Sequence, residues 1–312
     1  MFDEPIEAPV ALVFPGQGAQ EPALLQRIAT LPGFARRHRW ICELLGFDLQ
    51  ERLTREPTLI NANGVSSLLT VLASLCALEL WRESATGTQQ PLGMAGYSVG
   101  QWSALHAAGS MDETTLLALV VERAHLMDKA LAENPPSGML AVIGVPQEGL
   151  AGLCADAIDR GFQLFIANEN APGQFTLSGD LAGLAHGEDR LRAEFGPKRL
   201  LRVPVAGGWH SPFLASAVTP LQRCIESLTL APCQLPVIDN VTGDFLPQSP
   251  SPAQLAAQVA APVRWMQGIR RLVAAGARSI VELGYGDTLT RFGFFIDRSV
   301  RHRALLPPVR GR

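Results

Sequence analysis

The sequence predicts an α/β fold in which a large domain with a doubly wound parallel sheet carries a small inserted ferredoxin-like domain. An apolar strand over 91–95 turns sharply at 96–100 into a helix over 101–108, which is the strand-to-helix order of a parallel sheet. After a Pro-Pro-Ser-Gly break at 135–138, the hydrophobic pattern changes to β-α-β-β-α-β, the order of a split βαβ unit. We therefore expect a large domain from 1–132 and 205–312 and a small domain from 133–204.

The first half of the large domain is predicted from short apolar runs and helical periodicity. β-branched and apolar residues over 8–14 indicate a buried strand, and 22–53 is a mixed helical stretch whose basic run is typical of a solvated face. The apolar run inside 62–82 predicts a buried core helix, because it is too short and too polar to span a bilayer. Asp112 is typical of a helix N-cap, and apolar residues on one face extend that helix to 132.

The later elements are predicted from the same patterns. In the small domain we expect strands over 139–145, 162–167, 174–178 and 199–204, and helices over 147–159 and 181–195. Beyond it, a glycine loop at 206–213 starts a helix, and a short strand follows at 237–240. Helices over 253–260 and 265–275, a strand over 279–283 and a closing helix complete the large domain.

Composition restricts the classes of protein to which this chain can belong. With 312 residues and 47% hydrophobic content it can bury a large core, so we expect a globular protein. A net charge of −3 provides no general attraction to nucleic acid or to anionic membranes. Five cysteines without C-x-x-C spacing argue against a disulfide framework or a metal site. Together with a start that lacks a basic n-region, they predict a cytoplasmic protein with buried thiols.

The Gly-Tyr-Ser-Val-Gly turn at 96–100 supplies the candidate nucleophile, Ser98. A strand that turns sharply into a helix exposes its turn residue, so a serine there points its hydroxyl into a cleft, as in hydrolase-like α/β folds. Gly96 and Gly100 fit such a turn, because a side chain at either position would collide with the neighbouring strand or helix. The pattern alone is short enough to arise by chance in a chain with 29 glycines. An ordinary βα turn is therefore the alternative.

A second glycine-rich loop, Pro-Gly-Gln-Gly at 15–18, follows the first strand. The glycines on both sides of Gln17 let the backbone approach a ligand, so its N–H is a candidate oxyanion donor, with a plain turn as the alternative. The second donor is expected to be the N–H of Val99, the residue after the nucleophile. Two backbone N–H groups would then form an oxyanion hole.

The six histidines offer one candidate for the general base that a serine nucleophile needs. Five of them lie among arginines or on predicted helices, where a structural or solvated role is the better expectation. His210 lies in the glycine loop that starts a helix, and it is the candidate base. No aspartate stands in a motif that would orient His210, so we expect a Ser-His dyad in place of a triad.

Several motifs in chain order together resemble the malonyl-CoA:acyl-carrier-protein acyltransferase family along nearly the whole chain. Residues 14–20 are similar to the family's F-P-G-Q-G-S-Q loop, and 96–109 to its G-H-S-L-G-E elbow and the helix that follows. Residues 168–179 are similar to its A-x-N-x-P-x-Q-x-V-x-S-G stretch, and 210–212 to its H-S-P. Residues 258–265 resemble its Q-L-x-x-P-V-x-W run, and 281–286 its E-x-G-P-G turn.

This resemblance implies a malonyltransferase that moves malonyl from malonyl-CoA, through malonyl-Ser98, to the thiol arm of an acyl carrier protein, with no bound cofactor. Arg123 falls where the family keeps an arginine, which implies that its guanidinium binds the malonyl carboxylate. Asn168 and Gln258 match family positions that are implied to contact the substrate. A backbone carbonyl near Gln258 is implied to hold the histidine. Malonyl-CoA is thus the expected substrate, and a carrier protein the expected partner.

Departures from the family pattern indicate a branch within it. Tyr97 replaces the usual histidine before the serine, Gln101 replaces a glutamate, and Val-Ser-Ser at 65–67 stands in place of Q-P-A. The elbow is similar to that of the epsilon subunit of malonate decarboxylase, which implies transfer to a dedicated delta-type carrier in malonate decarboxylation. Fatty-acid or polyketide synthesis is the alternative pathway. A serine hydrolase and a catalytically idle carrier-binding subunit are the alternative classes.

Overall fold

The computed structural model describes residues 6–18, 21, 24–84 and 89–308. Within these ranges the strands are β1 (Val10–Phe14), β2 (Gly93–Gly96), β3 (Ser137–Ile143), β4 (Leu164–Ala171), β5 (Gln174–Asp180), β6 (Arg199–Val203), β7 (Val237–Ile238), β8 (Ser279–Tyr285) and β9 (Arg301–Leu306). The α-helices there are α1 (Leu24–Ile28), α2 (Phe34–Leu45), α3 (Leu49–Arg55), α4 (Asn63–Glu83), α5 (Gly100–Ala107), α6 (Glu113–Ala132), α7 (Gln147–Asp159), α8 (Leu181–Glu194), α9 (Ala215–Glu226), α10 (Pro252–Ala257), α11 (Trp265–Ala274) and α12 (Thr288–Ile296). Residues 19 and 20, which end the first matched motif, lie outside the described residues.

Five of the strands form a parallel sheet in the order β7-β2-β1-β8-β9. The chain fills one half of the sheet from β1 through β2 to β7, and then crosses to β8 and β9 on the other side of β1. This is a doubly wound order, in which ligands bind outside the carboxyl ends of the strands near the point where the winding reverses. The loop after β1 and the turn after β2 both lie at that edge, so the topology brings them together.

Strand β1 is buried along its whole length, as expected for the centre of a parallel sheet. Val10, Leu12 and Phe14 pack into the core that contains α4, whereas Ala11 and Val13 pack into a second core. Successive side chains of a strand point to opposite faces of the sheet. This short run therefore supports helices on both sides.

Helix α4 is the main helix of the first core. It has 21 residues and is by length and composition apolar enough to cross a membrane, but 83% of its most apolar window is buried inside the fold. It is longer than the apolar run that predicts it. The burial agrees with the core helix expected from the sequence.

The other four strands form an antiparallel sheet in the order β4-β5-β3-β6. Leu140 and Leu164 of this sheet pack with Leu150 of α7 and Leu184 of α8 in a core of their own. The strand order and the β-α-β-β-α-β connection are those of a ferredoxin-like unit, which confirms the predicted fold class. We call β3 to β6 with α7 and α8 the small unit, and the elements around the parallel sheet the large unit. Domain boundaries at 133 and 204 stay a prediction.

Some element ends differ from the predicted ones because backbone pairing continues beyond the apolar residues. Strand β3 begins at Ser137 and β4 continues to Ala171, since both ends pair with β5. Strand β9 has no predicted counterpart, because Arg-His-Arg at 301–303 gives no apolar pattern. It lies at the edge of the large sheet, where polar side chains are tolerated.

Candidate active site

The turn between β2 and α5 is a close contact of three backbone segments. Ser98 has a φ of 54°, in the left-handed region. A Cβ on Gly96 would lie 2.0 Å from the carbonyl of Gly100, and one on Gly100 would lie 2.3 Å from the carbonyl oxygen of Phe14 in β1. Only glycine fits at either place. The turn therefore packs tightly against β1 and presents Ser98 at the carboxyl edge of the sheet.

Asn240, which follows β7, holds this turn in place. The backbone N–H of Ser98 donates to Asn240 Oδ1 at 2.8 Å, and Asn240 Nδ2 donates to the carbonyl of Gly96 at 2.6 Å. The backbone N–H of Asn240 donates to Oε1 of Gln101 at 2.9 Å. Sequence reasoning missed Asn240, whose one signal is its position after a short strand. Gln101, a departure from the family pattern, thus supports the residue that anchors Ser98.

His210 contacts Ser98 directly. Its Nε2 lies 2.7 Å from Ser98 Oγ, and its Nδ1 donates to the carbonyls of Gln258 and Ala261 at 3.0 and 3.1 Å. Because carbonyls only accept, the proton lies on Nδ1, and Nε2 is left to accept from the serine hydroxyl. Burial, and secondarily the charge of Arg123, lower the His210 pKa to about 4. The ring is therefore neutral at pH 7 and able to take a proton.

Backbone groups set the orientation of the His210 ring. A φ of 55° places His210, like Ser98, in the left-handed region, at a cost that the surrounding contacts must offset. Ser211 Oγ donates to the carbonyl of Gly208 at 2.6 Å and stabilises the loop. No carboxylate is hydrogen-bonded to the ring in the part of the chain that the structure describes. The geometry is that of the expected Ser-His dyad, and its catalytic role stays a prediction.

Arg123 reaches the same point from α6. It is fully buried, and its Nη2 donates to Ser98 Oγ and to Gln258 Oε1, both at 3.4 Å. Its Nε and Nη1 have no protein partner among the described residues. Burial lowers the Arg123 pKa to about 10, which still leaves the guanidinium protonated at pH 7. A buried cation with free N–H groups is costly unless an anion joins it, so this arrangement is suited to an anionic group.

Gln258 contacts all three of these residues. Its backbone carbonyl accepts from His210, its Oε1 accepts from Arg123, and its Nε2 donates to the carbonyl of Ser98 at 3.2 Å. It lies one residue after α10 and is fully buried. Gln258 therefore fixes the serine, the histidine and the arginine relative to one another. A direct contact between Gln258 and a substrate stays a prediction.

The loop after β1 lies against the turn that carries Ser98. A Cβ on Gly16 would be 2.7 Å from the carbonyl oxygen of Tyr97. The Gln17 side chain donates to Asn63 Oδ1 at 3.0 Å and to Ser66 Oγ at 2.5 Å, which anchors the loop on α4. Ser66 stands where many family members have proline, so this departure provides an acceptor for the loop.

Gln17, Ser98 and His210 line a cavity of about 90 Å³ to which the small unit contributes Asn168. A cleft of about 290 Å³ adjoins this cavity, with Gln17 and Tyr97 lining both, and lies between the loop after β1 and the small sheet. Val99 is fully buried at the start of α5. These positions suit the roles expected from the sequence. The oxyanion role of the Gln17 and Val99 N–H groups and the substrate contact of Asn168 stay predictions.

Cysteines and metal-ligating side chains are the other groups that can supply chemistry at a site. Among the described residues, no group of three or more His, Cys, Asp or Glu side chains is placed to hold a metal ion. All five cysteines are free. Burial raises the pKa of the Cys154 thiol to about 12, which disfavours the reactive thiolate.

Comparison with known proteins assigns the chain to a family. Residues 11–293 match the acyl transferase domain family, so the chain belongs to that family and is an acyltransferase. The malonyl CoA-acyl carrier protein transacylase of Bacillus subtilis (strain 168) is 28% identical over 304 residues, which cover 96% of this chain and 94% of that protein.

Solved structures agree with this assignment. The malonyl-CoA:acyl carrier protein transacylase from Xanthomonas oryzae pv. oryzae matches with a TM-score of 0.87 at 28% identity, over 97% of this chain and 96% of that one. A malonyl-transacylase in complex with its type II polyketide synthase acyl-carrier protein matches with a TM-score of 0.85 at 28% identity, over 95% of each chain. The resemblance to the malonyl-CoA:acyl-carrier-protein acyltransferase family is confirmed. The narrower resemblance to the epsilon subunit of malonate decarboxylase stays a prediction.

Replacing Gly100 by Ala is expected to destabilise the protein, because the added Cβ would lie 2.3 Å from the Phe14 carbonyl oxygen. We expect a loss of about 1–3 kcal/mol in the free energy of unfolding, measured by denaturant titration. Gly64→Ala is the matched control, since a Cβ there meets no described atom within 4 Å beyond the adjacent backbone of its own helix and alanine favours a helix. Equal losses in the two variants would contradict the steric argument.

Acylation of Ser98 should depend on pH through neutral His210. The rate should be constant near neutrality and fall only as the pH approaches the His210 pKa of about 4, because protonation removes the acceptor for the serine hydroxyl. Arg123→Met should move this acid limb to higher pH, since it removes a charge that disfavours the imidazolium. Rapid-quench mass spectrometry with acetyl-CoA measures both profiles. An acid limb near 6.5, the ordinary histidine value, would argue against the effect of burial.

Proposed function

We propose that this enzyme transfers malonyl from malonyl-CoA to the thiol of an acyl carrier protein in fatty-acid or polyketide synthesis. The observation that carries the proposal is the fully buried Arg123, whose Nη2 lies 3.4 Å from Ser98 Oγ. Two of its nitrogen atoms have no protein partner among the described residues. A guanidinium binds a carboxylate through two parallel charge-assisted hydrogen bonds. An acyl group on Ser98 that ends in a free carboxylate, as malonyl does, suits this arrangement.

The first half of the reaction forms malonyl-Ser98. Ser98 Oγ attacks the thioester carbonyl while His210 Nε2, 2.7 Å away, takes the hydroxyl proton. The N–H groups of Gln17 and Val99 bind the oxygen of the tetrahedral intermediate. The bond from carbon to sulfur then breaks, and His210 returns the proton to the departing CoA thiolate.

The second half repeats these steps with the thiol of the carrier. Its sulfur attacks the acyl carbon as His210 takes the thiol proton, and the bond from that carbon to Ser98 Oγ breaks. The proton passes to Oγ, which restores the serine. Because CoA leaves before the carrier thiol reacts, the kinetics should be ping-pong, with Arg123 holding the carboxylate in both halves.

The molecule that takes the acyl group from Ser98 distinguishes this proposal from the alternatives. A serine hydrolase would use water, and the transacylase names of the relatives favour a carrier thiol. One of the related structures holds an acyl-carrier protein as its partner, which supports a carrier of this kind here. An idle carrier-binding subunit is disfavoured, because such a protein has no need of a serine hydroxyl 2.7 Å from a neutral imidazole.

The pathway is the finer part of the proposal. The names of the relatives support fatty-acid or polyketide synthesis. Malonate decarboxylation with a delta-type carrier is the second candidate, favoured by Tyr97 and Gln101 in the elbow. A cytoplasmic location fits either pathway, since free cysteines persist in a reducing compartment.

Intact-mass measurement after incubation with malonyl-CoA or acetyl-CoA tests the transfer chemistry. Unaltered protein should gain a malonyl adduct, and Ser98→Ala should gain none. Arg123→Ala should lose malonylation by about tenfold or more relative to acetylation, because only malonyl loses a charged hydrogen-bond partner. Arg123→Lys keeps the charge without the planar guanidinium, so its malonylation relative to acetylation should lie between that of the unaltered protein and that of Arg123→Ala. Equal losses for both acyl groups would refute the role of Arg123.

Competition between carriers tests the pathway. Limiting malonyl-CoA is offered with equal amounts of a fatty-acid-type carrier and a malonate decarboxylase carrier, and the product masses are compared. With equal amounts of the two carriers, the ratio of the two products gives the ratio of their kcat/KM values. We expect the fatty-acid or polyketide type to be preferred. Preference for the other carrier would leave the reaction in place and assign it to malonate decarboxylation.

A further inference from the structure

Tyr97, the residue before the nucleophile, is a departure from the family pattern for which the transfer mechanism has no role. Its ring packs edge-on against Trp265, with centroids 5.5 Å apart, and its centroid lies 6.3 Å from that of Phe292. These contacts fix the plane of the ring. The direction of the Tyr97 hydroxyl is therefore fixed as well.

The Tyr97 hydroxyl donates to Asn170 Oδ1 at 2.7 Å, and Asn170 Nδ2 donates to Thr176 Oγ1 at 3.1 Å. Asn170 lies in β4 and Thr176 in β5, so the first bond joins the nucleophile turn to the small sheet. Asn170 and Thr176 are buried. Burial raises the pKa of Tyr97, which keeps its hydroxyl protonated as a donor.

This bond lies where the adjoining cleft meets the cavity at Ser98. Tyr97 and Thr176 line both spaces, and Asn170 lines the adjoining cleft. A thiol arm that entered along the cleft would pass this place on its way to an acyl group on Ser98. Water that entered along the cleft would pass the same place.

We propose that Tyr97 and Asn170 form a positioning pair that holds the small unit against the nucleophile turn and keeps water from the acyl-serine, so that transfer exceeds hydrolysis. This inference rests on the proposed function. In hydrolysis a water oxygen bonds to the acyl carbon, and the bond from that carbon to Ser98 Oγ breaks. His210 takes a proton from the water and returns it to Oγ, and the free acid leaves.

The pair opposes hydrolysis because the Tyr97 hydroxyl and Asn170 Oδ1 are hydrogen-bonded to each other. Without the Tyr97 hydroxyl, Asn170 Oδ1 would be a buried acceptor that has lost its donor, which is costly unless water enters to donate to it. That water would stand at the entrance to the cavity that holds the ester. With the hydrogen bond intact, Asn170 Oδ1 already has a donor and does not bind water at this place.

Other contacts keep the two units together when this bond is removed. The backbone N–H of Glu169 donates to the carbonyl of Val263 at 2.9 Å, and that of Val263 donates to the carbonyl of Ala167 at 2.9 Å. Ser178 Oγ donates to the carbonyl of Trp209. Loss of the Tyr97 hydroxyl should therefore change the entrance to the cavity and leave the fold intact.

The test compares Tyr97→Phe, Asn170→Ala and the double variant with the unaltered protein. Each is given malonyl-CoA with free pantetheine as the thiol acceptor, and mass spectrometry quantifies malonate and malonyl-pantetheine in the same reaction. Tyr285→Phe is the matched control, because Tyr285 is the other of the two tyrosines. Its hydroxyl bonds to Glu21, and it is not among the residues that line the two spaces.

Tyr97→Phe and Asn170→Ala should each raise the ratio of malonate to malonyl-pantetheine about fivefold or more. The double variant should show no further rise, since each single change already removes the hydrogen bond between Tyr97 and Asn170, and Tyr285→Phe should leave the ratio unchanged. An unchanged ratio in both single variants overturns the inference, because a purely structural role lowers both products in proportion. If the unaltered protein forms no malonyl-Ser98 by intact mass, the proposed function is overturned, and this inference with it.

Discussion

The tight packing of the turn that carries Ser98 against β1 is the constraint on which the rest of the site depends. Because Gly100 lies against the Phe14 carbonyl, the turn has no room to relax, and Ser98 is held in the left-handed region. The position of its Oγ then determines where a base, a cation and an oxyanion donor have to lie. The loop after the small unit, α6 and the residue after α10 each bring one side chain to that point. The doubly wound sheet is the common frame that holds these segments in register.

One buried environment gives His210 and Arg123 opposite charge states. Burial lowers the pKa of both groups. Histidine titrates near neutrality in water, so the shift leaves its ring uncharged, whereas arginine titrates so far above neutrality that it stays protonated. A neutral imidazole and a cation therefore lie side by side, and no carboxylate among the described residues is bonded to either. This agrees with a histidine ring that is oriented by carbonyls alone.

Local motifs can be predicted from the sequence, and contacts between distant segments cannot. The turn and the small unit are predictable because a tight turn needs glycine and because strands and helices each have their own hydrophobic period. Asn240 lies 142 residues from Ser98, whose N–H donates to it, and no local pattern predicts such a pair. Ser66 has the appearance of a mere departure from a motif until the Gln17 amide is seen to bond to it. Arg123 resembles any helical arginine, and only its place among ordered family motifs predicts a role for it.

The two neutral carbonyls that hold His210 also determine the charge balance of the closed cavity. In each half of the proposed reaction the ring becomes an imidazolium beside the Arg123 cation. The carboxylate and the oxyanion of a bound malonyl group oppose these two charges, so the sum is zero in the loaded state and again in the tetrahedral intermediate. An acetyl group supplies the oxyanion alone and leaves one positive charge uncompensated, which a buried site disfavours. Electroneutrality would then favour malonyl over acetyl at each step of the reaction. This preference would add to that from the hydrogen bonds between Arg123 and the malonyl carboxylate.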